Sequence, residues 1–187
     1  MERSLEEKPE ERLIEAAVSG DEDSFTELVR RYKRMVLATA SRFARDGQEL
    51  DDLCQDIFIK VYEKLGSFRG DAPFEHWLRR ITVHASYDLL RKRRREPLVP
   101  LEDAESIIEG TPAGDTQAAI EARNVLAWAM SGLKPEERLA ITLLELEENT
   151  IKEVATLTGW SEAKVKVRGF RARQALKKIL GLDDEKR

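Results

Sequence analysis

Apolar positions recur at helical spacing along most of this chain. Phe25, Leu28, Val29, Tyr32, Val36, Ala40 and Phe43 fall on one face of a helix, and Gly47 reads as its stop. A second helix carries Leu50, Leu53, Cys54, Ile57, Val61 and Leu65 inward before Gly66. A third can start near Pro73, where a missing N–H is harmless, and buries Phe74, Trp77, Leu78, Ile81, Ala85 and Leu89. Alternation of β-branched residues is scarce, so the expected fold is all-α.

The pattern breaks at residues 96–116, which hold three prolines, two glycines and six acids but no Lys or Arg. That is the composition of a flexible acidic linker. It divides the chain into two small helical domains, residues 1–95 and 117–187. Helical signals resume over 117–132, restart at Pro135 through EERLAITLLELE, and end in a pair of helices around Gly159. In TIKEVATLTGWSEAKVKVRGFRARQALKK, Thr150 and Glu153 form a capping box, Gly159 supplies a turn and Ser161 caps the next helix. Ala155, Gly159 and Val165 stand where a helix-turn-helix needs a small residue, a residue free to take positive φ and an apolar anchor.

Charge changes the picture. The net charge of −4 argues against a polyanion binder, yet it conceals segregation. Residues 76–95 carry seven Lys or Arg against one acid, Asp88, and residues 160–179 carry seven against Glu162. Each half therefore owns a basic patch. No apolar run approaches the ~20 residues of a membrane span, and the acidic start MERSLEEKPEER lacks the blocks of a signal peptide. A single cysteine, Cys54, excludes an internal disulfide and fits a reducing compartment. The expected location is the cytoplasm.

On a helical wheel the last helix turns Val165, Gly169, Ala172, Leu176 and Ile179 inward. Lys164, Lys166, Val167, Phe170, Arg171 and Gln174 face outward, offering cations to phosphates and an Arg for guanine edges. Gly169 on the inner face implies close helix packing. Opposite the apolar stripe of the third helix lie Arg79, Arg80, Val83, Ser86, Tyr87 and Leu90, with Arg91 nearby. Basic and aromatic groups on an exposed face suit unstacked single-stranded bases. Phe68 lies in the glycine-bounded loop before that helix. On the second helix the outer face carries Asp52, Gln55, Asp56, Ile59 and Glu63. His76, His84 and Cys54 form no metal-ligand motif, and no phosphate loop or nucleophile setting is present, so the sequence offers neither a cofactor site nor an enzyme.

DDLCQDIFIKVYEKLGSFRGDAPFEHWLRRITVHASYDLLRKRRR resembles the segment for core binding, promoter melting and −10 recognition of small, two-domain extracytoplasmic-function (ECF) sigma factors of bacterial RNA polymerase. LKPEERLAITLLELEENTIKEVATLTGWSEAKVKVRGFRARQAL is similar to the −35-reading domain of that family. The resemblance implies that Asp52, Gln55, Asp56 and Ile59 dock on the clamp coiled coil of the polymerase largest subunit. It implies that the loop with Phe68 receives a flipped base, and that Arg79, Arg80, Val83, His84, Tyr87 and Arg91 line the −10 strand. Lys164, Lys166, Val167, Arg168, Phe170, Arg171 and Arg173 would lie in or beside the duplex −35 groove. It further implies an anti-sigma partner, and an acidic linker that threads the channel later used by nascent RNA. His84 stands where the family often has Asn, and Gly169 where it usually has a bulky apolar residue. The competing reading is a helix-turn-helix regulator that acts without polymerase.

Overall fold

The helical periodicity is realised as eight α-helices in a computed structural model that describes residues 8–94 and 117–182. No strand occurs among the described residues. The acidic stretch 96–116, read as a linker, lies outside them.

The first helix was not anticipated. α1, Glu10–Val18, buries Leu13, Ile14 and Ala17 against its neighbour, and Glu10 and Glu11 complement the positive end of its dipole. α2, Glu22–Ala40, buries Leu28, Val36 and Ala40. It is tied to α1 by the Tyr32 hydroxyl, which donates to Glu10, and by Arg31, whose Nη2 donates to the Lys8 carbonyl at 3.0 Å. Glu27, buried on α2, accepts from Arg30 Nε and Arg31 Nε, each at 2.7 Å. Those two hydrogen bonds hold its carboxyl down to about 2.

Gly47 is a correction. α2 ends at Ala40, and Gly47 opens α3, Gly47–Lys64, because the Asp46 carboxylate accepts the Glu49 N–H at 2.8 Å and caps a new helix. α3 buries Leu53, Ile57 and Val61 and tightens into a 3₁₀ turn, Leu65–Ser67. α4, Phe74–Arg93, follows Pro73 as expected and sets Phe74, Leu78 and Ala85 into the core with α1, α2 and α3. Phe68, Phe74 and Trp77 stack beside it with ring centroids 5.3 to 5.5 Å apart.

The second half holds α5, Gln117–Ser131, α6, Pro135–Ile141, α7, Ile151–Thr158, and α8, Glu162–Ile179. α6 does not continue through the LLELE segment as α-helix. It widens at Thr142–Leu146 into a π turn, and the Asn149 side chain closes the exit by donating to the Leu143 carbonyl at 2.9 Å. Met130, Leu133, Ile141 and Ala172 make a small core between α5, α6 and α8.

A further apolar cluster crosses between the halves. Phe43, Val83 and Leu90 pack with Leu139, Leu143, Val154, Leu157 and Val165. The face of α4 expected to be open is therefore covered: Val83 is 1% exposed, Leu90 4% and Ser86 fully buried. The physical reason is that α6 and α7 lie against it.

Candidate nucleic-acid interface

The last helix, α8, is built by local rules. Thr150 Oγ1 accepts the Glu153 N–H at 3.2 Å, and Glu153 returns the favour by accepting the Thr150 N–H at 2.7 Å. Gly159 takes φ 72°, a left-handed position that ends α7 without a Cβ clash. Ser161 Oγ then accepts the Lys164 N–H at 3.2 Å, starting α8. Val165, Gly169 and Ala172 are buried. A Cβ on Gly169 would lie 2.8 Å from Leu144 Cδ1, so the expected close approach is present.

With that face fixed, Lys164, Lys166, Val167, Phe170 and Arg171 project into solvent. Phe170 is 60% exposed, far more than a buried ring would be. Two of the candidate cations are less free. Arg168 is half-buried and close enough to Tyr87 and Glu136 to affect both electrostatically. Arg173 Nη2 meets Glu145 Oε1 at 2.5 Å, beside an apolar cavity of about 280 Å³ lined by Leu126, Met130 and Leu176. Lys164 Nζ sits 4.4 Å above the ring of Trp160.

On α4 the structure separates the candidates. Arg80 and Arg91 are exposed, and Arg91 lies 5.7 Å over the Tyr87 ring. Arg79, Val83 and Tyr87 meet the second domain, while His84 is exposed at the margin of that contact. Arg79 pairs with Glu147 at 3.4 Å, and the Tyr87 ring stands edge-on to Trp160 at 5.9 Å. Burial and the negative charge of the nearby Glu136 carboxylate push the Tyr87 hydroxyl pKa up. Burial and then Arg80 push the His84 imidazole down, although Asp88 and the nearby Leu157 backbone oppose them. Phe68 is half-buried against Phe74 and Trp77 rather than standing free in its loop.

The outer face of α3 is as expected. Asp52, Gln55, Asp56 and Ile59 are all exposed, Ile59 at 49%, with Tyr62 beside it at 51%. An apolar side chain among acids on a rigid helix can seat on a basic partner surface. Cys54 on the inner side is half-buried, and burial pushes its thiol up.

Sequence reasoning missed Trp160, Glu136, Arg138 and Glu147, which link the halves. Trp160 had one signal, an aromatic directly after the turn glycine; the others are acids and a base among many. Among the described residues no three His, Cys, Asp or Glu side chains group as a metal site requires. No described helix is long and apolar enough to cross a membrane.

Two family models match in the order the two domains suggest: Sigma-70 region 2 over residues 28–96 and Sigma-70 region 4 over residues 123–176. An ECF RNA polymerase sigma factor, SigM of Mycobacterium tuberculosis, is 34% identical over 175 residues, covering 94% of this chain and 86% of its own. Among solved structures, CnrH in complex with the cytosolic domain of CnrY is 28% identical with a TM-score of 0.59, covering 92% of this chain and 97% of that one. The sigma factor RpoE of Bartonella quintana, solved with the anti-sigma factor NepR, shares the fold at 24% identity and a TM-score of 0.59, covering 85% of this chain and 98% of that one. An autonomous helix-turn-helix regulator would share only the second family match. With a capped helix-turn-helix in one half, a basic aromatic helix in the other and a relative that spans both, the chain belongs to the ECF RNA polymerase sigma factors.

Proposed function

We propose that the chain works as an alternative sigma factor whose two domains, residues 1–95 and 117–187 with the stretch 96–116 between them, divide promoter recognition. The observation that carries this reading is the α8 surface, where Lys164, Lys166, Val167, Phe170 and Arg171 are exposed on a helix held by a capped turn. Such a face enters a major groove, cations reaching phosphates while Arg171 and Phe170 meet base edges. Arg168 and Arg173 flank it.

In the first domain, Asp52, Gln55, Asp56 and Ile59 seat on the polymerase clamp. Exposed Arg80, His84 and Arg91, with Phe68, Arg79 and Tyr87 at their side, then receive the melted −10 strand, Val83 of the same set being buried in this structure. Capture of a flipped base offsets an unstacking cost of a few kcal/mol per base. This is binding work and needs no cofactor, metal or catalytic group. The acidic stretch 96–116 occupies the RNA channel until transcript displaces it. The site of action is the cytoplasm, and a separate anti-sigma protein is the expected regulator, as the RpoE structure has for its own sigma factor.

A run-off assay tests the reading: purified bacterial core polymerase, with and without this chain, on a pool of genomic promoter fragments. Discrete start sites that require the chain are expected, and they should vanish with Phe170→Ala combined with Arg171→Ala. Absence of both start sites and core binding would replace this reading with a free-standing regulator.

A further inference from the structure

α1 does more than cover the first core. It packs on α2 and on the 3₁₀ turn Leu65–Ser67, from which the loop with Phe68 departs. That loop is held lightly by its backbone. Residues 69–73 are all exposed, Gly70 takes φ 73°, and the tie at the start is the Phe68 N–H donating to the Leu65 carbonyl at 3.0 Å. The Phe68 side chain is fixed by other rings instead. It stands edge-on to Phe74 at 5.3 Å and tilted to Trp77 at 5.5 Å. Phe74, only 2% exposed, also meets Tyr32 of α2 in an edge contact at 5.3 Å. The Tyr32 hydroxyl then donates to Glu10 of α1. A continuous path of side chains therefore runs from Glu10 through Tyr32 and Phe74 to Phe68, linking α1, α2, the start of α4 and the loop.

Packing alone does not call for this path. A phenylalanine at position 32 would fill the same space, whereas a half-buried phenol needs an acceptor, and that acceptor fixes how the ring is turned. Burial and then the Glu10 carboxylate push the Tyr32 pKa up, so the hydroxyl remains a donor. The Glu10 end is supported as well: Arg31, next to Tyr32, donates to the Lys8 carbonyl just ahead of α1 at 3.0 Å. A helix of nine residues has little stability of its own, so its place depends on such ties. Edge-on ring pairs have a preferred geometry, so a ring anchored at one end constrains the next. The consequence falls on Phe68. A ring already in place when a base arrives does not have to be ordered at that moment.

We propose that Glu10 and Tyr32 are positioning residues for strand capture: through Phe74 they hold Phe68 in the orientation that receives the flipped base. The role in capture rests on the sigma-factor reading; the path of side chains does not.

Hydrogen exchange read by mass spectrometry tests the path in the full chain, and transcription with core polymerase tests its use. Tyr32→Phe keeps the ring and loses the donor, Glu10→Leu loses the acceptor, and Glu10→Gln keeps an acceptor oxygen. The first two should speed exchange across residues 65–74 and leave α8 as in wild type. On a promoter taken from the run-off pool, they should shorten the heparin-resistant lifetime of open complexes by roughly two- to ten-fold, the span expected for ordering one side chain. On the same promoter with its −10 segment already melted by mismatches the loss should shrink, because opening then depends less on base capture. Glu10→Gln should resemble wild type throughout. Equal losses on both templates would mark a structural role only and overturn the proposal. So would Tyr32→Phe and Glu10→Leu chains whose exchange and lifetimes match wild type, or a Glu10→Gln chain as impaired as Glu10→Leu. A wild-type chain that gives no transcript on any fragment fails the sigma-factor reading instead, and exchange across residues 65–74 then decides whether the path holds the loop.

Discussion

Glu27 and His84 carry opposite pH signatures. Hydrogen bonds from Arg30 and Arg31 hold Glu27 at about 2 against an ordinary 4.5, so the unfolded chain binds its proton more readily. The stabilisation is complete above pH 4.5 and is lost as pH falls towards 2. Glu27→Gln should flatten this acid limb in urea unfolding run from pH 5 to pH 2; an unchanged slope would reassign the limb to another carboxyl. His84 is a base whose pKa burial and Arg80 depress, against Asp88 and the Leu157 backbone. The folded chain then resists protonation, so stability declines as pH falls below the ordinary 6.5. His84→Asn should remove that part of the decline, read from unfolding midpoints at pH 7.5 and 5.5.

At the scale of the element, α7 and α8 were readable almost residue by residue. Their capping box, αL glycine and second cap are short-range chemistry, and each sits where the spacing places it. Thr150→Ala removes the side-chain arm of the box, leaves the backbone N–H on Glu153, and should cost about 1 kcal/mol in urea unfolding. Gly169 sets a sharper test, because its missing Cβ is what lets Leu144 approach. Gly169→Leu should cost about 2 kcal/mol through overpacking, and Leu144→Ala in the same chain should recover part of it in a double-mutant cycle. Other elements escaped for physical reasons. α1 is only nine residues long, and its stripe of Leu13, Ile14 and Ala17 gains meaning only against α2. Gly47 has two local meanings, helix stop and helix start, and the Asp46 side chain decides between them. The π turn after Ile141 leaves the apolar spacing nearly intact, so periodicity runs straight through it.

Across the whole molecule, what the sequence hid is the second face of α4. Val83 and Leu90 read as surface because the residues that bury them, Phe43 and the apolar side chains of the second domain, stand about forty or more positions away. The same distance concealed the Glu49 cluster. Glu49 accepts from Arg93 Nε at 2.9 Å, from its Nη2 and from the Arg45 backbone N–H at 2.7 Å, while Arg138 comes from the other domain. Burial, then Arg93, pushes Arg138 down to about 10, against the opposing pull of Glu49. Glu49→Gln should leave Arg93 buried without its partner and cost about 3 kcal/mol, measured by chemical unfolding of the full chain.

Trp160 gives the contact between the two halves an optical readout. The chain has three tryptophans: Trp77 lies in the first core and Trp128 is 44% exposed on α5, while Trp160 alone stands between the domains. Parting the halves would take the Tyr87 phenol away from its indole and admit water there. In a chain with Trp77→Phe and Trp128→Phe, a red shift of emission would therefore report loss of this contact, with no dye attached.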